Sequence, residues 1–498
     1  MDIKTLNLLK KIKLKKKIVL CHGVFDVIHS GHLKYFEQAK KYGDILVVSV
    51  TADKYVNKGP NRPVNSLKSR IEILKNLRVV DFVLESNFAT AQKIIEKIKP
   101  DIYCKGPDYK NKIQGDIRLK SEVKALNKVK GKFITVTHQV LSSSKIIKKA
   151  NLDINNDKIS KYIKSLRKKY SADFLYKQAS KLHLSKTLVL GEMILDKYVF
   201  AEAIGKSGKD SMLVFKEKND KQYIGGTGYI ANLCSTFVKN IDYIFHIGSS
   251  DNKIHFIKKN LSKKINYKYF KKNNSPTIQK LRYVDYYKNT KIMGFYNIND
   301  DQINSQEEKK YLAEINKKIK KNKIIIVTDY AHGEFTNKIR KFIQKSYDKV
   351  FLNTQINSFN SRYHTMRNYK KVNTLCINES ELRHEMRDNK SSIQILANNL
   401  KKQLKFKNLI VTQGKYGATL FNNKNKTYYV PAFESNPVDS IGSGDTFFSI
   451  ISLCLGSKLN EEISLLFASL AASYSVRNIG SKDYFTKDNL INDIKHLF

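Results

Sequence analysis

Residues 23–32 read Gly23-Val24-Phe25-Asp26-Val27-Ile28-His29-Ser30-Gly31-His32. They follow the β-branched run Lys17-Ile18-Val19-Leu20 and precede a helical pattern from Leu33 to Lys41. A strand, a glycine-bearing turn and a helix in that order open an α/β domain with a largely parallel sheet. The His-x-Gly-His step at the helix start sets two imidazoles about one turn apart, beside unpaired backbone N–H groups and the positive end of the helix dipole. Such a place suits a triphosphate.

Outward from this stretch, Ile45 to Val50, Val79 to Leu84, Asp101 to Cys104 and Phe133 to Val136 read as strands. Ala91 to Lys99 reads as a helix with Ile94, Ile95 and Ile98 on one face, stopped by Pro100. The pattern is coherent to about residue 150, where the sequence turns polar and Lys-rich; Ile159, Tyr162, Ile163 and Leu166 there have roughly helical spacing. A second strand series runs through Thr187 to Leu190, Tyr243 to Ile247, Ile324 to Thr328, Val350 to Asn353, Thr374 to Ile377 and Leu409 to Thr412. The expected organisation is a first α/β domain over 1–147, a helical connector over 148–183 and a second α/β domain over 184–498.

With 498 residues and 41% hydrophobic content the chain has material for two or three packed cores, which excludes wholesale disorder. Its 91 Lys+Arg against 45 Asp+Glu leave a net charge of +46. That charge is spread over both halves and the segment between them, is mostly lysine, and has no Arg-rich cluster with interleaved aromatics. It reads as solvated surface, and no nucleic acid partner is expected. Cys21, Cys104, Cys234, Cys376 and Cys454 are odd in number and form no Cys-x-x-Cys, so neither a disulfide framework nor a zinc site is suggested. The Lys-rich start has no apolar core of signal-peptide length. The stretches at Phe447–Leu455 and Ile463–Val476 are too short or too interrupted to span a bilayer, so a soluble, cytoplasmic protein without a membrane partner is expected.

A second glycine-bearing turn stands at Asp439-Ser440-Ile441-Gly442-Ser443-Gly444-Asp445-Thr446, opening an apolar helical run from Phe447. The N–H groups of Gly442 to Gly444 cradle developing charge, and Asp445 at the helix start takes a hydroxyl proton, the pair of functions that phosphoryl transfer to an alcohol requires. In the first domain, Lys58, Arg62 and Lys105 are candidates for neutralising two anionic substrates. Asp26 is a candidate for aligning substrate or metal, or alternatively for capping its turn.

Residues 17–147 resemble the cytidylyltransferase-like nucleotidyltransferases, most closely the adenylyltransferase half of the bifunctional heptose 7-phosphate kinase/heptose 1-phosphate adenylyltransferases. Besides His-x-Gly-His, the matching pieces are Lys58-Gly59-Pro60-Asn61-Arg62-Pro63-Val64-Asn65, Val80-Asp81-Phe82-Val83, Lys105-Gly106-Pro107-Asp108-Tyr109 and Ser142-Ser143-Ser144-Lys145-Ile146. The resemblance implies a Rossmann-like domain with His29, His32 and Lys145 catalytic. Gly23, Phe25, Arg62, Ser142, Ser143 and Ser144 then bind the nucleotide, and Asp26, Lys58, Lys105 and Asp108 the sugar phosphate. The reaction implied is in-line attack of a sugar phosphate oxygen on the α-phosphorus of a nucleoside triphosphate, with pyrophosphate leaving.

Residues 187–480 resemble the ribokinase-like (PfkB) carbohydrate kinases in ordered places: Gly191-Glu192-Met193-Ile194-Leu195-Asp196, Gly225-Gly226 with Asn232, Pro276 to Arg282, Asn378-Glu379-Ser380-Glu381, Thr412-Gln413-Gly414 with Gly417, and the Gly442–Asp445 turn. This implies Asp445 as general base and Gly442, Ser443 and Gly444 as the anion hole. It also implies Thr412, Gly414 and Gly417 at the nucleotide, Asp196, Gly225, Gly226 and Asn232 at the sugar, and Asn378 and Glu381 acting indirectly on Mg2+. Two places depart from the heptose kinases: Asp329-Tyr330-Ala331-His332 lacks their lysine, and Asn353-Thr354-Gln355 stands where they carry Asp-Pro-Lys. Ile356 to Tyr369, including Asn357, Asn360, Arg362, Tyr363 and His364, is a polar and aromatic segment that either shapes the substrate pocket or is an ordinary surface loop.

The two resemblances together imply a bifunctional enzyme of nucleotide-sugar synthesis, of the kind that makes ADP-heptose for lipopolysaccharide, with the family's domain order reversed. It takes ATP or CTP as co-substrate, Mg2+ as cofactor and a sugar phosphate as partner, and association as a homodimer is compatible with it. The alternatives are a cytidylyltransferase fused to a kinase for another sugar or polyol, and a sugar-binding regulator with a spent kinase domain.

Overall fold

The computed structural model describes residues 3–56, 62–106, 116–136, 154–356, 360, 364–434, 439–477 and 484–498. The chain divides into two compact units, Met1–Asp157 and Lys158–Phe498.

In the first unit the apolar runs become β1 (Ile18–Gly23), β2 (Ile45–Thr51), β3 (Phe82–Ser86), β4 (Ile102–Lys105) and β5 (Lys132–Thr135), a parallel sheet in the order β3-β2-β1-β4-β5. The helices are α1 (Ile3–Lys13), α2 (Ser30–Lys40), α3 (Leu67–Lys75), α4 (Gln92–Ile98) and α5 (Ile117–Lys128). Successive side chains of a strand point to opposite faces, so both faces need apolar residues when helices cover both. Leu20, Val47 and Tyr103 pack on one face with Ile94 and Ile95 of α4, whereas Val19, Cys21, Val48 and Cys104 pack on the other with Phe36 and Ala39 of α2. Strand order reverses beside β1, so the ends of β1 and β4 form the crevice in which such sheets bind ligands.

The second unit begins with α6 (Ile154–Arg167) and α7 (Ala172–Lys181), over the stretch the sequence suggested as a connector. Ile163, Leu166, Leu175 and Ala179 are buried in the same core as β6 (Lys186–Gly191), Tyr170 donates to Glu462, and Arg167 Nε donates to the Leu497 carbonyl. These helices therefore belong to the second unit, because the apolar stripe read there has a core to cover.

The second unit continues with β7 (Met193–Lys206), β8 (Leu213–Gly225), α8 (Gly226–Cys234), β9 (Asn240–Gly248), α9 (Ile254–Asn260), β10 (Ile265–Lys272), β11 (Gln279–Asp285) and β12 (Lys291–Asn297). Then come α10 (Ser305–Ile319), β13 (Ile324–Asp329), α11 (Asn337–Ile343), β14 (Val350–Thr354), β15 (Lys371–Asn378), α12 (Glu379–Met386), α13 (Ile393–Gln403) and β16 (Lys405–Thr412). The last elements are β17 (Ala418–Asn422), β18 (Thr427–Val430), α14 (Ser443–Gly456), α15 (Glu461–Ser475) and α16 (Lys487–Leu497). The main sheet runs β10-β9-β6-β13-β14-β15-β16-β17-β18 and is parallel except at β17 and β18. Val189, Ile326, Phe351 and Ile410 face one helical layer, and Leu190, Val327, Leu352 and Val411 the other.

A separate sheet, β12-β11-β7-β8, was not read from the sequence. β8 carries seven consecutive polar residues, Lys216 to Gln222, and β12 is exposed throughout, so these two lack the apolar runs of buried parallel strands. Its small core is Tyr198, Phe200 and Val284. Among the described residues no helix is long and apolar enough to cross a membrane. All five cysteines are buried and free.

Candidate active sites

In the first unit, the turn between β1 and α2 is shaped by one ring. Phe25 adopts a left-handed backbone (φ 49°), and a Cβ at Gly23 would meet its ring at 2.9 Å. Gly23 is therefore the residue that lets this ring fold back, where it packs edge-on against His32 at 5.5 Å and tilted against Phe36 at 5.1 Å. His29 caps α2: its Nδ1 accepts from the Gly31 N–H at 3.1 Å. An accepting Nδ1 places the proton of a neutral ring on Nε2. The rings of His29 and His32 lie 3.9 Å apart and 29° from parallel. Both expected histidines thus stand together at a helix N-terminus.

Two expected substrate contacts are differently occupied. The Asp26 carboxylate is fully buried, accepts from Arg62 Nε at 2.6 Å, and accepts from the N–H groups of Val64 and Asn65 at 2.8 and 2.9 Å. Of the two readings of Asp26, the geometry is that of a turn cap, and Arg62 is first of all its ion-pair partner. Lys105 is likewise buried, 3.6 Å from Glu122 and 3.4 Å from the His22 carbonyl, so it is a charge in the floor rather than an open surface cation. Burial, with Lys105 second, lowers the His22 pKa to about 3, so that ring stays neutral between Ser49 and Thr51. Arg70, unremarked in the sequence, is fully buried and joins the loop to the sheet. It donates to the carbonyls of Val24, Asn65 and Thr51 and pairs with Asp53. Lys58, Asp108, Ser142, Ser143, Ser144 and Lys145 lie outside the described residues.

In the second unit, Gly442 opens α14 in a left-handed conformation (φ 80°) and sets Asp445 in the first helical turn. Asp445 is partly buried; its Oδ1 accepts from Tyr330 Oη at 3.3 Å and from Gln355 Nε2 at 3.2 Å. Burial first, and the charge of Asp196 second, raise its pKa to about 6 against the opposing effects of Tyr330, Lys280 and Gln355. A carboxyl poised there is a base near neutral pH.

A cavity of about 160 Å³ is lined by Thr412, Gly414, Gly417, Phe433, Ser443, Gly444 and Phe447 among others. It brings the expected nucleotide residues together. Asn378 and Glu381 lie at the start of α12 and form a capping box, each side chain bonded to the other's backbone N–H at 2.7 and 2.8 Å. Burial raises the Glu381 pKa to about 7. Among the described residues no three His, Cys, Asp or Glu side chains group as metal ligands. Glu381 feels the charge of Asp445 and accepts from the backbone of Asn378 and Ile356; a single carboxylate fits Mg2+ held largely by waters and phosphate oxygens, the usual arrangement for that ion.

Asp196 and Lys280 are near enough to Asp445 to act on its charge, and Arg282 pairs with Asp196. Arg282 Nη1 donates to Asp196 Oδ1 at 2.5 Å, and its guanidinium lies over the rings of Tyr198 and Tyr296 at 5.6 and 5.9 Å. Lys280, two residues away and so on the same strand face, lies 5.7 Å from the rings of both Tyr296 and Tyr330. Burial lowers its pKa. Gly225 faces Asp196, and Gly226 has φ +52°. Asn232 is a correction: its Oδ1 accepts from Ser262 N–H, and its Nδ2 donates to the Asn260 carbonyl and Tyr484 Oη. It fastens α8 to the α9 end instead of meeting a sugar.

Sequence reading had Lys280 and Arg282 only as part of a family segment; their period-2 spacing was the available signal. Tyr330 lies in the Asp-Tyr-Ala piece shared with the heptose kinases, and Gln355 in the departing Asn353-Thr354-Gln355. Of the polar segment, Asn360 is buried and bonds the carbonyls of both Tyr330 and Gln355, and His364 bonds Thr354. Asn357, Arg362 and Tyr363 lie outside the described residues. His332 bonds Asp300 at 2.7 Å, and burial lowers its pKa.

Residues 184–487 match the pfkB family of carbohydrate kinases, and residues 20–149 the cytidylyltransferase-like family. The chain is similar to the bifunctional protein HldE of Sulfurimonas denitrificans, 41% identical over 126 residues, 25% of this chain and 26% of that one. It is also similar to the bifunctional protein HldE of Campylobacter concisus, 39% identical over 146 residues, 29% of each chain. These matches lie in the N-terminal part and span between a quarter and a third of the curated relatives' length. Escherichia coli phosphofructokinase-2, solved in complex with substrates and products, shares the fold of the second unit: TM-score 0.50, 14% identity, 63% of this chain and 99% of that one.

Proposed function

The chain belongs to the pfkB family of carbohydrate kinases, and from that premise we propose a bifunctional enzyme of nucleotide-sugar synthesis, phosphorylating a heptose 7-phosphate in its second unit and transferring a nucleotidyl group to a heptose 1-phosphate in its first. The observation that carries the kinase half is the place of Asp445: next in sequence to Ser443 and Gly444, which line the cavity, and within electrostatic reach of Asp196 and Lys280. A nucleoside triphosphate in the cavity presents its γ-phosphorus toward Asp445. The carboxylate accepts the proton of the sugar hydroxyl, the hydroxyl oxygen bonds to that phosphorus, and the bond to the leaving diphosphate breaks. The N–H groups of Gly442 to Gly444 lie where negative charge grows. Glu381, with Asn378 fixing the turn, would hold Mg2+ through water; the ion would neutralise phosphate charge. Two cations on one face of β11 support an acceptor that itself carries a phosphate.

In the first unit His29 and His32 hold the phosphates of the second nucleotide at the start of α2, stabilising charge as pyrophosphate departs. Asp26 and Arg62 shape the turn over them. Ser142, Ser143, Ser144 and Lys145 complete the phosphate site in this reading, with Lys58 and Asp108 at the sugar. For the kinase, another sugar or polyol as acceptor is favoured by one observation, the Asn353-Thr354-Gln355 departure.

The test is direct. The full chain is incubated with ATP and D-glycero-D-manno-heptose 7-phosphate, and separately with ATP or CTP and the heptose 1-phosphate. Formation of a 1,7-bisphosphate with ADP, and ATP-dependent pyrophosphate release, are expected. Release with CTP alone overturns the adenylyl assignment, and ADP formation only with other sugars overturns the heptose assignment.

A further inference from the structure

We infer that Gln355, acting with Tyr330, is a positioning residue for the base: both donate to Oδ1 of Asp445 and thereby assign Oδ2 to the acceptor hydroxyl. The inference rests on the kinase reading above and gives a role to one departure from the heptose kinases, Gln355 in Asn353-Thr354-Gln355. Gln355 Nε2 donates to Asp445 at 3.2 Å and also to Asn353 Oδ1 at 3.2 Å, while Asn353 Nδ2 donates to the Cys376 carbonyl at 2.8 Å. The donor is therefore held in place from β15 through two amides.

Tyr330 is held equally firmly. Its N–H donates to Glu192 Oε2 at 3.1 Å, and its hydroxyl reaches Asp445 from the end of the neighbouring parallel strand. Asn360 ties the two donors together, its Nδ2 bonding the carbonyls of Tyr330 and Gln355 at 3.1 and 2.8 Å. Among the described residues nothing donates to Oδ2. In the transfer the hydroxyl proton moves to Oδ2, the new O–P bond forms at the γ-phosphorus, and the bond to the departing diphosphate breaks.

The surroundings of Asp445 set the sign of the test. Asp196 on β7 disfavours its charge, and Lys280 on β11, Tyr330 and Gln355 favour it; Glu381 on α12 and the neutral Tyr229 and Cys376 are also close. Removing one donor to a carboxylate raises its pKa, and adding a cation in the same place lowers it.

The experiment uses the full chain with ATP and D-glycero-D-manno-heptose 7-phosphate across pH 5 to 9. Gln355→Met is expected to lower kcat about 10- to 100-fold with KM within about threefold, and to move the acid limb of kcat/KM to higher pH. Tyr330→Phe moves both in the same directions and serves should Gln355→Met fail to fold. Gln355→Lys is expected to recover kcat to within about threefold and to move the limb below that of the wild type. A wild-type kcat and limb in Gln355→Met, or a change in KM alone, overturns the inference while leaving the kinase reading intact. No Asp445-dependent turnover in the wild type defeats both.

Discussion

A Cβ placed on Gly225 would stand 1.9 Å from Asp196 Oδ2, closer than any side chain can come. The bare backbone of Gly225 is therefore what allows the Asp196 carboxylate to lie beside it and pair with Arg282 across β7 and β11. Gly225→Ala is expected to displace Asp196 and cut kinase kcat/KM about 100-fold or more, with nucleotidyl transfer by the first unit unchanged; steady-state assays of both reactions check it.

Arg282→Ala removes one of two cations facing the acceptor and leaves Asp196 without its partner. The expected outcome is a KM for the sugar phosphate raised more than tenfold with the KM for ATP nearly constant. An equal rise in both constants would point to a general loss of the fold.

The pH dependence of the kinase follows from Asp445. Its pKa is raised to about 6 and the ionised form is the base, so kcat/KM is expected to climb as pH rises through about 6 and to level off above it. For stability the sign is opposite. A carboxyl whose folded pKa exceeds its unfolded value contributes stability that is complete below about 4 and lost as pH rises through the folded pKa. Asp493, buried and raised to about 7, adds to that loss, so Asp493→Asn is expected to narrow the fall in melting temperature between pH 5 and pH 8.

What could be read from the sequence, and what could not, follows from burial. The strands of both parallel sheets are apolar on both faces, as in Ile45 to Val50 or Ile324 to Val327, and were legible as runs. Strands β7, β8, β11 and β12 form a sheet with a core of a few side chains, and the polar run of β8 hid it. Helices α6 and α7 carried the right stripe, but no local signal says which core a stripe covers. At the sites, turns that approach phosphate through glycines were visible. Gln355 and Tyr330 meet Asp445, with Asn360 bonding the carbonyls of both, only because β13 and β14 end side by side. Asp26 was legible as a carboxylate, whereas the loop amides it caps are 38 and 39 residues away.

The place of α6 and α7 is itself testable. Leu166 and Leu175 are fully buried in the second unit's core, and truncating such a leucine to alanine costs about 2–5 kcal/mol. Thermal unfolding of Leu175→Ala is expected to show an earlier loss of kinase activity with nucleotidyl transfer preserved.

In the proposed function one chain carries two separate transfer reactions, with Asp445 the base of one and His29 and His32 the phosphate-holding pair of the other. Measuring both reactions in full-length Asp445→Asn tests it most directly. The account predicts a loss of heptose 7-phosphate phosphorylation of about 100-fold or more, with pyrophosphate release from ATP and the heptose 1-phosphate at the wild-type rate. Phosphorylation at the wild-type rate in that variant would contradict it.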